Sequence, residues 1–142
     1  MKVLVSACLL GENCKYNGGN NYSEKVVEFL KGREVLPVCP ETLAGLGIPR
    51  TPIEIRGDQV ISRDGEDVTE PLIRAIKTIL SQIADEDIEC AILKSRSPTC
   101  GVRQVYDGSF SGTLIDGAGV LAQALMEAGC QVFDSEDLPQ VL

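Results

Sequence analysis

Four short apolar runs, with helix-period segments between them, constrain the fold of this chain more than any other feature. Lys2–Ala7, Glu34–Val38, Ile88–Lys94 and Cys130–Phe133 read as strands, each too short for a buried helix. Ser23 is placed to cap a helix over 24–31, with Val26, Val27 and Leu30 on one face. Thr69 is placed to cap the clearest helix, 69–84, with Glu70 and Pro71 in its first turn. Its apolar residues, Leu72, Ile73, Ile76, Ile79, Leu80 and Ile83, recur at helical spacing. A third helix is predicted over 118–128, ended by Gly129. Ile53–Arg56 and Gln59–Ser62 flank Gly57-Asp58 as a short hairpin, and residues 95–116 read as a loop. Strands alternating with helices predict the α/β class. The expectation is a single Rossmann-like domain over 1–142, its sheet mostly parallel, with helices on both faces.

The chain has 142 residues and a net charge of −8. Such an acidic balance argues against a duplex nucleic-acid partner, which needs a basic face. It does not argue against a small nucleobase as ligand. No segment approaches the ~20 apolar residues of a membrane span, so no membrane association is expected. The N-terminal apolar run is too short for a signal peptide, which makes a cytoplasmic location the expectation. No sequence feature sets an oligomeric state.

There is no histidine. That excludes a Ser-His-Asp triad, a Cys-His dyad and any His-ligated metal. A general base must come from a carboxylate, a perturbed Lys, Tyr or Cys, or a metal-bound hydroxide. The six cysteines therefore dominate the chemistry, and in a reducing compartment they are not read as disulfides. Cys90 and Cys130 fall within apolar strands and read as small buried hydrophobes. Cys8, Cys39 and Cys100 each follow a predicted strand, where Gly, Pro and Ser begin a loop. If those strands are parallel neighbours, the three thiols meet at the sheet edge where open α/β folds bind ligands. Cys14, in a polar loop, reads equally as a fourth ligand, a reactive thiol or an idle surface residue.

The cysteine spacing matches neither ferredoxin runs nor paired zinc knuckles, so position rather than motif carries this signal. Three thiolates from separate loops suit a metal site with one open position. A tetrahedral structural zinc would need Cys14 as well, and a thiol redox protein would pair Cys8 with Cys14. Glu41, close after Cys39, is the best-placed carboxylate for acid/base work or else a solvated loop residue. Ser97, in Ser97-Pro98-Thr99-Cys100-Gly101, either orients substrate or caps the turn. Gly117-Ala118-Gly119 before the last helix reads as a tight turn more readily than as an anion site. No loop cysteine has Arg six positions on, which excludes a C-x5-R phosphate loop.

Several motifs in order resemble one family. They are Ser6-Ala7-Cys8-Leu9-Leu10-Gly11, Cys14-Lys15-Tyr16-Asn17-Gly18, Pro37-Val38-Cys39-Pro40-Glu41, Ser97-Pro98-Thr99-Cys100-Gly101 and Tyr106-Asp107-Gly108-Ser109-Phe110. Together with Leu93-Lys94 they are similar to the domain of unknown function 523 family, which includes thiouracil desulfidases. The resemblance implies a 4Fe-4S cluster held by Cys8, Cys39 and Cys100, with Glu41 and Ser97 as acid/base and assisting residues. It implies non-redox removal of sulfur from a small thiolated base such as thiouracil. Such a cluster, if exposed, can be lost in aerobic preparation. The alternatives are a non-catalytic cysteine-ligated metal- or ligand-binding domain, for example with zinc, and the thiol redox protein.

Overall fold

A computed structural model of the protein describes residues 2–138. Four of the strands, β1 (Lys2–Ser6), β2 (Glu34–Val38), β5 (Ile88–Leu93) and β8 (Val132–Asp134), form one sheet in the order β2-β1-β5-β8. All three pairings are parallel. Pro37 is tolerated because β2 lies at the sheet edge, where a missing N–H breaks no inner ladder.

Alternation along the two central strands separates the layers. Val3 and Val5 of β1 and Cys90 and Ile92 of β5 pack with Val26 and Leu30 of helix α1 (Glu24–Leu30). Leu4, Ala91 and Leu93 point the other way. They meet Ile76 and Ile79 of α3 (Thr69–Ile83) and Leu121 and Leu125 of α4 (Val120–Glu127). Helices therefore cover both faces, as the strand-helix alternation predicts. Ser23 caps α1 as expected, its hydroxyl accepting the Val26 N–H at 3.3 Å.

The structure departs from the sequence reading in four places. Cys39-Pro40-Glu41 opens a one-turn helix, α2 (Pro40–Leu43), rather than a loop. The predicted loop over 95–116 contains a hairpin, β6 (Gln104–Tyr106) with β7 (Leu114–Asp116). It docks on the expected hairpin of β3 (Ile53–Arg56) and β4 (Gln59–Ser62). The Gly108 N–H donates to Glu54 Oε1 at 3.0 Å, and the Arg56 Nη2 donates to the Gly108 carbonyl at 2.7 Å. Thr69 does not cap α3: Val68 holds that position, and the Thr69 hydroxyl instead accepts the Val60 N–H at 2.8 Å. Finally, β8 begins at Val132, so Cys130 precedes the strand and is half-buried rather than fully enclosed. No helix among the described residues is long and apolar enough to cross a membrane.

Candidate active site

β1 is the switch point of the sheet: β2 lies on one side of it and β5 on the other. The C-terminal ends of these three adjacent strands carry the three cysteine-bearing segments. Cys8 sits in a single 3-10 turn, Ala7–Leu10, closed by Gly11 at φ 96°, a conformation glycine adopts freely. Cys39 is the residue before α2, with Pro40 in the first helical turn. Its side chain makes no capping bond, and Sγ accepts the Thr42 hydroxyl at 3.1 Å.

Cys100 is held by its own loop. Ser97 Oγ accepts the backbone N–H groups of Thr99 at 3.2 Å and Cys100 at 3.1 Å. The start of α4 completes the hold: Gly119, Val120 and Leu121 donate N–H groups to the carbonyls of Gly101, Pro98 and Thr99 at 2.7, 3.1 and 2.8 Å. The glycine-bearing entrance to α4 thus binds the Cys100 loop, in keeping with a tight turn rather than an anion site. A Cβ on residue 119 would lie 2.6 Å from the Cys100 nitrogen, so only glycine lets the two backbones approach. Gly119→Ala is expected to destabilise the protein by about 1–3 kcal/mol, the range for overpacking. A denaturant melt checks the stability. An unchanged melt would show that the loop yields freely.

Cys8, Cys14, Cys39, Cys100, Glu41 and Ser97 all line one cavity of about 530 Å³. Every residue singled out for chemistry is therefore brought to one place, while Cys90 and Cys130 are not among its walls. Lys15, Arg50, Arg63, Lys94 and Arg96 line it too, against two carboxylates, Glu41 and Glu54. In a chain of net charge −8 this is a locally basic chamber. The two non-glycine residues with positive φ among those described, Arg96 at 60° and Phe110 at 57°, are both in its wall. Backbone strain of this kind concentrates at functional sites.

Burial sets the acid–base character of the site. It raises the Cys8 thiol, against a hydrogen bond from Asn21 that favours the thiolate. Burial pushes Cys14 up to about 12, with the neighbouring Cys39 adding to the effect. Cys100 is likewise pushed up to about 12 by burial, with Ser6 and Thr99 opposing. Such thiols are poor nucleophiles in the free protein, which weakens the redox pairing of Cys8 with Cys14. A metal reverses the balance, because a coordinated thiol deprotonates outright. Burial also raises the Glu41 carboxyl, while Arg50 and Thr99 pull it back. The carboxylate is hydrogen-bonded at one oxygen and ion-paired at the other: Oε2 accepts the Thr99 hydroxyl at 3.3 Å, and Oε1 lies 3.6 Å from Arg50 Nε.

Three thiols are a soft donor set whose chemistry fits an iron–sulfur cluster. Among the described residues, no three Cys, Asp or Glu side chains are gathered tightly enough to hold one metal ion. Thiolates bound to separate irons stand farther apart than the ligands of one zinc. Three free thiols at one sheet edge, facing a basic cavity, meet the cluster's needs.

Sequence reasoning missed Arg50, Thr99, Thr42, Asn21 and Lys94. Thr99 and Lys94 lie inside motifs already singled out. Arg50, in a Gly- and Pro-bearing loop, gives no sequence signal that it reaches Glu41.

The chain matches the 2-thiouracil desulfurase family over residues 3–137. The chain belongs to that family. This bears out the resemblance read from the motifs. Among its relatives, the uncharacterized protein YbbK of Bacillus subtilis (strain 168) is 36% identical over 150 residues, covering 99% of each chain. The solved structure of the 4Fe-4S-dependent thiouracil desulfidase TudS superposes with a TM-score of 0.91 at 36% identity. That match covers 99% of this chain and 94% of the other.

Proposed function

We propose that this protein is a 4Fe-4S-dependent, non-redox desulfidase acting on a small thiolated base such as thiouracil. The observation that carries the reading is the convergence of Cys8, Cys39 and Cys100 with Glu41 on one cavity at the sheet edge. Membership of the 2-thiouracil desulfurase family and the likeness to TudS support it.

Cys8, Cys39 and Cys100 would hold the cluster, each from its own strand end. When bound, a cluster with three protein ligands supplies one open, soft iron that takes a thiocarbonyl sulfur and polarises its carbon. The remaining work falls to side chains of this chain. Glu41 is the base that takes a proton from the attacking water, and it returns that proton as the carbon–sulfur bond breaks. Its largely buried carboxylate accepts from Thr99 and faces Arg50, which places it for both transfers. Ser97 fixes the Cys100 turn through two N–H bonds, and its exposure in the cavity lets it orient the base. Water replaces sulfur, so thiouracil gives uracil and hydrogen sulfide with no net electron transfer.

The test is anaerobic purification and reconstitution, iron and sulfide assay, then turnover with 2- and 4-thiouracil. The expected protein is brown, holds about four irons per chain, and forms uracil and hydrosulfide in equal amounts. Colourless protein after reconstitution, or a loaded protein without turnover, overturns the reading.

A further inference from the structure

Arg50 is the most constrained cation of the site, and its surroundings do not look like those of a surface arginine. Its side chain is 6% exposed. Nη1 donates to the Gly47 carbonyl and Nη2 to the Cys14 carbonyl, both at 2.8 Å. Its backbone N–H donates to Tyr16 at 2.7 Å, so main chain and side chain both clamp the 14–16 segment. One polar atom is left over: Nε is buried and has no hydrogen-bond partner. Its nearest carboxylate oxygen is Glu41 Oε1, at 3.6 Å and 16% side-chain exposure. That is an ion pair but too long for a hydrogen bond.

A buried N–H without an acceptor is unfavourable, and it is unusual enough to need a reason. Here the guanidinium is already fastened to two loops, so it cannot swing away to find another partner. The side able to move is Glu41. Its other oxygen is held by Thr99, which belongs to the Cys100 loop and lies 3.6 Å from Cys100 Sγ. A continuous polar chain therefore runs from Ser97 through Thr99, Glu41 and Arg50 to the Cys14 carbonyl. It crosses the cavity wall from the Cys100 loop to the Cys14 loop. Catalytic hydrogen bonds are commonly long in free proteins and tighten once the site is filled.

We infer that Arg50 is the positioning residue for Glu41: a fixed, buried cation whose unused Nε–H closes on Oε1 when the site is filled, and so aims Oε2 and the carboxylate plane. In this role Arg50 acts through Glu41, although its side chain is part of the cavity wall. The inference rests on the proposed role of Glu41. Lys cannot replace Arg here, because one ammonium cannot hold two carbonyls in a fork and also face the carboxylate.

A double-mutant cycle tests it, using reconstituted protein of equal iron content and visible absorbance. Arg50→Met is expected to lower kcat about 10- to 100-fold, the scale of a misplaced catalytic group, with KM within about twofold. Arg50→Lys is expected to recover part of that loss. In a Glu41→Gln background, measured by single turnover, Arg50→Met should bring almost no further loss, because the group it positions is gone. Equal losses in both backgrounds overturn the inference and leave Arg50 as packing alone. Full activity in Glu41→Gln overturns the assignment of Glu41 and Arg50's role with it, while the cluster reading stands. If Arg50→Met fails to fold, the same cycle run with Arg50→Lys decides the question: a loss in the wild-type background that vanishes beside Glu41→Gln upholds the coupling, and an additive loss rejects it.

Discussion

Protein carrying Cys39→Ala, purified and reconstituted without oxygen, is expected to be nearly colourless, low in iron and without measurable turnover of thiouracil. Of the three candidate ligands Cys39 gives the cleanest reading. Its side chain makes no capping bond to α2, so its removal does not take a helix cap with it. It is half-buried and belongs to none of the fully buried clusters, so little packing is lost. A melt of the cluster-free variant should stay within about 1 kcal/mol of the cluster-free wild type, as for changes away from packed features. Cys130→Ala is the matched control: that thiol lies outside the cavity, and the variant should keep its colour. A Cys39→Ala protein with wild-type iron would remove this residue from the ligand set.

Glu41→Gln is expected to bind iron normally and to lose about 10²- to 10⁴-fold in kcat, the range for removal of a general acid/base. The amide keeps the size of the side chain and an oxygen for the Thr99 hydroxyl. It loses the capacity to take and return a proton. It also leaves Arg50 without its counter-charge, at an expected stability loss of about 3 kcal/mol, near the low end for broken buried pairs. A melting curve run beside the kinetics separates the two effects: loss of turnover in folded, iron-loaded protein is chemical. Wild-type kcat in that protein would sink the assignment.

The parts legible in the sequence are those where local pattern and tertiary packing agree. β1, β2 and β5 were readable because short Val-, Leu- and Ile-bearing runs end in turn residues, and α3 because its apolar face repeats over four turns. The position of three cysteines just past those runs anticipated their convergence, although only the strand order β2-β1-β5 makes them neighbours. The misses have physical causes. α2 is one turn long, below the length at which a period can be seen. β6 and β7 have three residues each and are stabilised by docking on β3 rather than by their own composition. Thr69 carries a good capping side chain, but the Val60 N–H claims its hydroxyl from across the fold. Arg50 is the sharpest case: a guanidinium reaching Gly47, Cys14 and Glu41 is defined by where three loops end up, and no local pattern encodes that.

The pair of docked hairpins has a consequence for how this site diversifies. The thiols and Glu41 stand on the parallel sheet and the turns that close it. Ile53, Glu54, Arg63, Phe110 and Gly112, which face them across the cavity, all come from the two hairpins and the turns that join and follow their strands. Those hairpins hold each other through Glu54, Arg56 and Gly108; among the described residues they form no ladder with the four-stranded sheet, and a single bridge from Val105 of β6 to Arg96 joins them to the segment leaving β5. The groups assigned to chemistry thus stand on the sheet side of the cavity, and the hairpins add residues to its wall. If the proposed function holds, substitutions in the hairpins are expected to reshape which base is admitted while Cys8, Cys39 and Cys100 keep their places, so one chemistry can be inherited intact by chains with different appetites.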